Sequence, residues 1–407
     1  MRDGWPVVAG SLFGLALSPG TIVFYTLGVL MDPIAHATGW SRAQVSLAAS
    51  IFPTTLIFAI PVLGRLVDRF GVRRVLLPSL ALFGVTLIAA GRSRELWHLY
   101  VAFAAIAVLG AGANSVSYMR AVCTWYDAHR GLAIAIAQSG MGIGVAVLPF
   151  LAQRLLDVGG WRFAYTALGG LVLCASLPVV ACTVRERPSG AVKPAAGRLS
   201  EPLSIDLSEG DALRTRRFWV LLFAFLLLAG AINSVALHLV PMVENASHSR
   251  STALLAASVF GAAMLVGRIV TGILIDRYFA PYVAATLFAA SSLSIACLAW
   301  GVSEPALIGA AFVVGLSAGS DGDLLSYLVS RYFGMRSFGA LSGYIFSAYL
   351  AGTALFPWLV GVWFEHGNSY FQPMLMCSLA GAGSVVLTLM LGPYPRPVPR
   401  LAQSMND

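Results

Sequence analysis

The sequence predicts an all-α membrane protein of twelve transmembrane helices in two related six-helix halves. Three observations carry that prediction. Charge is scarce: among 407 residues there are 26 Lys+Arg and 18 Asp+Glu, 11% in all, where an ordinary soluble domain carries about 25%. Hydrophobic residues make up 58% of the chain and the mean hydropathy is +0.80, which leaves too little polar surface to cover a water-soluble globule. The few charges, moreover, cut the chain into runs of membrane-spanning length.

Those runs follow in order at residues 4–31, 43–64, 75–91, 96–119, 131–153 and 163–184, then 218–243, 251–267, 278–303, 305–320, 337–365 (closed by Glu365) and 366–395. Each approaches the roughly 20 residues that an α-helix, rising 1.5 Å per residue, needs to cross about 30 Å of hydrocarbon. Continuously apolar runs exclude a β-barrel, whose strands alternate in polarity over about 10 residues. The first run is too long, and too weakly preceded by positive charge, for a cleavable signal peptide. Between the sixth and seventh runs lies the one long polar segment, 185–217, rich in Pro, Gly, Ser and charge. It reads as a cytoplasmic linker joining an N-terminal bundle (1–184) to a C-terminal bundle (218–395), with a cytoplasmic tail at 396–407.

Orientation follows from the basic residues. With both termini cytoplasmic, 17 of the 26 Lys+Arg fall in cytoplasmic segments, six (Arg42, Arg92, Arg94, Arg154, Arg162 and Arg250) in external loops, and three (Arg65, Arg120 and Arg268) at or within spans. This satisfies the positive-inside rule for a multi-pass protein of a cell's plasma (inner) membrane. The net charge of +8 is then a topology signal and calls for no nucleic-acid partner. The five cysteines lack paired or metal-like spacing, and the six histidines are isolated, His238 alone lying away from loops, near the outer end of the seventh span. With no phosphate loop either, no enzymatic activity, metal or cofactor is expected.

An internal repeat supports the two halves. Gly64-Arg65-Leu66-Val67-Asp68-Arg69-Phe70 ends the second span and Gly272-Ile273-Leu274-Ile275-Asp276-Arg277-Tyr278 the eighth, an offset of 208 residues. Glycine permits close helix approach, while Asp and Arg at a helix end can pair with facing termini. Gly64, Asp68, Arg69, Gly272, Asp276 and Arg277 are accordingly expected to gate the protein.

Residues 64–74, GRLVDRFGVRR, resemble the loop motif after the second helix of major facilitator superfamily transporters, and the second copy sits where that family carries its weaker repeat. Within it, Gly39-Trp40-Ser41-Arg42, Arg130-Gly131-Leu132-Ala133 and Ser139-Gly140-Met141-Gly142-Ile143-Gly144 are similar to the monocarboxylate transporter and oxalate/formate antiporter branch. The resemblance covers the whole chain and implies two bundles rocking around a central site that is exposed to each side in turn.

The site is expected where charge enters the hydrocarbon. Arg268 interrupts the eighth span, and Asp321 and Asp323 the tenth. A charge at mid-helix costs about 2.5–3.5 kcal/mol on insertion scales, so each needs a partner, water or a function. Arg268 stands eight residues before Asp276, and Asp323 eight before Arg331, each about 12 Å from the cytoplasmic end and so at equal depth. Arg268 reads either as a bidentate clamp on a substrate carboxylate, the role an arginine of the eighth helix takes in the family it resembles, or as a structural partner of Asp323 or Asp321. The aspartates read as proton carriers, one of them alternatively as counter-ion to Arg268. Standing about 200° apart on an ideal helix, they both face a cavity only if the backbone loosens near Gly319 and Gly322.

In the fourth span, Asn114, Ser115 and Ser117 correspond to Ser320, Asp321 and Asp323 at an offset of 206. Asn114 and Tyr118, one turn apart, are candidates to hydrogen-bond substrate oxygens or to knit helices together. Arg120 reads as a gate residue contacting the acids of the loop motif. Oxalate-transporting relatives carry a lysine in the eleventh helix, where this chain has Tyr349. The resemblance thus implies a monocarboxylate, with Tyr25, Tyr327, Tyr344 and Tyr349 shaping the pocket. The expectation is a monomeric, proton-coupled carrier of small organic anions in the lipid bilayer. The alternative is a proton-driven antiporter of drugs or organic cations that uses the aspartates as counter-charge.

Overall fold

A computed structural model describes residues 4–187, 206–245, 249–300, 303–367 and 369–395. Of the expected linker and tail, residues 188–205 and 396–407 lie outside the described residues. The first half contains α1 (Trp5–Ala16), α2 (Pro19–Thr38), α3 (Arg42–Phe70), α4 (Val72–Ala90), α5 (Leu96–Leu109), α6 (Ser115–Trp125), α7 (Arg130–Leu171) and α8 (Leu177–Thr183). A short helix, α9 (Glu209–Arg214), precedes the second half: α10 (Arg216–Asn245), α11 (Arg250–Arg277), α12 (Ala280–Ala299), α13 (Glu304–Tyr332), α14 (Phe338–Gly367) and α15 (Phe371–Leu389). No strand occurs among the described residues.

Among the described residues, ten helical stretches are long and apolar enough to cross a membrane. One of them, Arg130–Thr183, holds two passes, because Gly159 and Gly160 break the helix and Gly160 takes a left-handed φ of 74°. A further pass runs through α5 and α6, giving twelve among the described residues.

Two passes are broken in mid-course. Between α1 and α2, Ser18 is extended and its hydroxyl accepts from the Thr21 amide, while the Thr21 hydroxyl donates back to the Leu15 carbonyl at 2.9 Å. A serine cap followed by Pro19 at the first helical position is a local start signal. Between α5 and α6, a single 3₁₀ turn (Ala111–Ala113) and the extended Asn114 interrupt the fourth pass. Elsewhere helices outrun the charge-free stretches. The second span continues to Phe70 and the tenth to Tyr332, because the charges that bound those stretches find partners within the fold.

Helices α1, α2 and α4 pack on α7 in the first half; α10 packs on α14, α11 on α13 and α12 on α15 in the second. The halves meet along two seams, α3 with α14 and α7 with α11. Lipid tails are as apolar as leucine, so such seams are held by close packing and polar contacts. Glycine supplies the packing: a Cβ on Gly64 would strike the Gly339 carbonyl, and one on Gly131 the Gly272 carbonyl. Gly131 and Gly339 are themselves 208 residues apart, so both seams are built from one repeated unit.

Candidate functional site

At the end of the bundle that carries the two loop motifs, each motif aspartate caps a helix of the opposite half. Asp68 accepts from the amides of Gly339 and Ala340 through its two oxygens, both at 2.8 Å. Asp276 does the same with Gly131 at 2.7 Å and Leu132 at 2.9 Å. The first amides of α14 and α7 have no partner within their own helices and carry the positive end of the helix dipole, so a carboxylate there satisfies both.

Around Asp68 the charges multiply. Arg120 pairs with it, donates to the Met335 carbonyl at 3.1 Å and reaches Glu186 at 2.8 Å. The other oxygen of Glu186 accepts from the Val72 amide at 2.9 Å, at the start of α4. The far side of the linker also reports here. Asp206 accepts from the Met335 amide at 2.8 Å, and Glu209 bridges Arg65 of α3 (2.7 Å) and the hydroxyl of Tyr344 of α14 (2.8 Å). Beside Asp276 the cross-contacts are fewer: Arg331 meets Asp127 at 3.1 Å, and Arg130 donates to the Ser330 hydroxyl at 3.0 Å.

Two motif residues do not join these contacts. Arg69 and Arg277 are exposed and make no ion pair among the described residues, Arg69 lying over the Phe70 ring at 5.3 Å. Neighbouring helical positions diverge by about 100°, so with the aspartates turned inward these arginines turn away from the seam. Glu186, Asp206 and Glu209 are not foreseeable from the sequence, because acidic residues flanking a polar linker give no sign of what they will touch.

Deeper in, Arg268 lies between the halves. Its Nη1 donates to the Gln138 carbonyl of α7 at 2.6 Å and stands 3.9 Å from Asp323 Oδ1. Asp323 has no exposed surface, and neither of its oxygens accepts a hydrogen bond of good geometry. Asp321 accepts from the Tyr349 hydroxyl at 2.6 Å and from the adjacent Gly322 amide at 2.6 Å. Asn233 of α10 lies 3.5 Å from the same tyrosine hydroxyl. Tyr25 of α2 is in electrostatic range of both Arg268 and Tyr349. On the α7 side, Gln138 accepts from the Ser115 hydroxyl at 2.9 Å, which ties the fourth pass to this group.

The backbone of α13 does not loosen at Gly319 or Gly322: the helix is continuous. The aspartates diverge as their spacing requires, Asp321 toward Tyr349 of α14 and Asp323 toward Arg268 of α11. Gly319 instead packs against the Met264 backbone, and Gly267 against that of Leu316, which draws α11 and α13 together.

Three expected ligand residues make their contacts with groups other than Arg268. Tyr118 is fully buried inside the first half, its ring filling the space over Gly14. Tyr327 lies beneath the Arg331 guanidinium, 5.2 Å from it, and one turn nearer the motif end than Asp323. Asn114 donates to the Ala111 carbonyl at 3.2 Å, which closes the turn that breaks its helix. In each case the face a side chain presents was set by packing that its own span does not encode. The central residues not singled out were Gln138 and Asn233. An amide in mid-span is costly to bury unpartnered, and that was the available signal.

A family model of the Major Facilitator Superfamily matches residues 13–357. The chain belongs to this superfamily. Among relatives of this transporter, an MFS-type transporter of Gibberella moniliformis is 26% identical, the match covering 95% of this chain and 89% of the relative. Monocarboxylate transporter 11 of Mus musculus is 24% identical over 92% of this chain and 84% of its own length. Among solved structures, the Escherichia coli fucose:proton symporter superposes with a TM-score of 0.73 at 15% identity, covering 96% of this chain and 100% of its own, a likeness of fold. The transporter is thus a multi-pass membrane protein of the major facilitator fold and not an enzyme.

Proposed function

We propose that this transporter moves a small organic monocarboxylate by alternating access coupled to protons. Arg268 binds the carboxylate and Asp323 carries the proton. One observation carries the reading: a guanidinium at the contact between the halves, bonded to a carbonyl of one half and 3.9 Å from a fully buried carboxylate of the other that lacks a hydrogen bond of good geometry. A guanidinium stays charged when desolvated and offers a planar fork that fits a carboxylate. A carboxylate at low dielectric beside it takes up a proton when the guanidinium turns to substrate. Asp321, held by Tyr349, shapes the neighbouring wall. The motif end is the cytoplasmic one, where the basic residues concentrate, in the plasma (inner) membrane, and the protein acts as a monomer. The likeness to monocarboxylate transporters supports the substrate class.

The test is uptake of lactate, pyruvate and acetate by proteoliposomes under an inward proton gradient. Arg268→Ala is expected to lower uptake at least a hundredfold, as loss of a charge-assisted clamp costs about 3 kcal/mol, and Arg268→Lys to restore little because the fork is gone. Asp323→Asn should keep exchange of substrate while losing acceleration by the gradient. Normal uptake by Arg268→Ala sinks the clamp. The second reading, organic-cation antiport, is favoured by two buried carboxylates against one guanidinium. Under it Asp323→Asn abolishes cation binding, and carboxylates do not compete.

A further inference from the structure

At the end of the bundle opposite the loop motifs, a cleft of about 650 Å³ is lined by Gly91, Arg92, Arg94, Arg162, Phe163 and Thr166. Three of its six lining residues are arginines and none is acidic. None of the three makes a salt bridge among the described residues, and Glu95, next in sequence to Arg94, does not line the cleft. The six basic residues that the charge distribution leaves at this end are thus gathered, by half, into one place, against the general depletion of arginine there.

The cleft has a built frame. Gly91 closes α4 on the second pass of α7, where a Cβ would meet the Arg162 carbonyl and the Thr166 hydroxyl. Arg162 is fixed over the Trp161 ring at 4.4 Å and donates to the Ser93 carbonyl at 3.2 Å, so it is tied to the turn that bears Arg92 and Arg94. Phe163 supplies an apolar wall next to Trp161, and aromatic residues at such depth mark the headgroup level of a bilayer. Several guanidinium groups around one space suit a ligand with three or more acceptor oxygens better than a two-oxygen carboxylate, since each offers its own fork. The volume falls within the range of small-molecule sites.

We propose that this cleft binds a phosphate group, presented by the headgroup of an anionic phospholipid in the adjoining leaflet or by a free phosphate ester. Arg92 and Arg94 take the phosphate oxygens, Arg162 holds the turn in register, and Phe163 receives the apolar part of the ligand.

Full-length protein in phosphatidylcholine nanodiscs containing a minor fraction of phosphatidylglycerol provides the test, with retained phosphatidylglycerol counted by native mass spectrometry. The wild type is expected to retain it, and Arg92→Gln/Arg94→Gln to retain it roughly thirtyfold less tightly, at the usual worth of two arginines near an anionic surface. Arg154→Gln, a charge removed at the same end outside the cleft, is expected to match the wild type. Equal retention by the double variant overturns the site, and so does an equal loss in Arg154→Gln, which would mean general surface charge. Displacement by inorganic phosphate or glycerol phosphate assigns the free-ester source, and retention against both assigns the lipid. Displacement by acetate as readily as by phosphate overturns the phosphate chemistry.

Discussion

Asp68 and Asp276 make the same two hydrogen bonds to the same kind of helix start, 208 residues apart, yet their surroundings differ. Asp68 is paired with Arg120, which Glu186 also holds, and the linker adds Glu209 across the same seam. Asp276 has no arginine partner among the described residues. The backbone hydrogen bonds of the contact are therefore symmetric and its charged part is not. A repeat fixes what the backbone geometry demands, namely a glycine for approach and an acid for the exposed amides. The surrounding ion pairs are free to diverge. The consequence is that the α3–α14 seam should be the harder of the two to open.

Asp68→Asn should have the largest effect. It leaves Arg120 and Glu186 without the third member of a largely buried cluster, where breaking a pair costs about 3 kcal/mol or more. Asp276→Asn weakens only hydrogen bonds to backbone amides. The difference, about 2 kcal/mol, is roughly thirtyfold in the closed-to-open ratio of the motif end. Spin-label distances across that end measure it, and equal shifts in the two variants would refute the asymmetry. Gly339→Val and Gly131→Val come next, each costing about 1–3 kcal/mol of overpacking, a Cβ at these positions meeting the carbonyl of the facing motif glycine. Because the backbone seam is symmetric, these two should shift the same distances equally; unequal shifts would mean that the packing, too, has diverged.

Glu209→Gln should be the smallest, about 0.2–1 kcal/mol as for a solvent-accessible pair, and lost in high salt. Burial raises the Glu209 carboxyl, but the hydrogen bonds from Arg65 and Tyr344 outweigh it and hold the group below its ordinary value of 4.5. A carboxylate depressed in the closed state stabilises that state above its ordinary value and stops doing so as the pH falls through the lowered one. The same spin-label distances, followed on acidification below pH 4.5, should therefore loosen further in the wild type than in Glu209→Gln, since the other carboxylates of that end contribute equally to both.

Much of the fold was legible residue by residue. The twelve passes could be read because a charge in hydrocarbon is expensive wherever it stands, so its absence marks a span without reference to any neighbour. The repeated glycine and aspartate of Gly-x-x-x-Asp-Arg were legible as a contact between helix ends, and Arg268 as the charge requiring an explanation. The breaks after Leu17 and before Asn114 were less visible, although Ser18-Pro19 carried a start signal. Tyr118 and Asn114 illustrate the limit. Their spacing put them on one face, but that face turned inward to Gly14 and to the helix break.

The sequence by itself determined which segments enter the membrane, that the two halves repeat, and which three charges lie deep. Tertiary structure decided the partnerships: Asp68 with amides 271 and 272 positions away, Arg268 with the Gln138 carbonyl, Glu209 with a seam between helices of both halves. The reason lies in the range of the forces. Transfer into lipid is a cost each residue bears alone, and so it is written locally. A hydrogen bond or ion pair exists only once packing has brought two distant helix faces within about 3 Å.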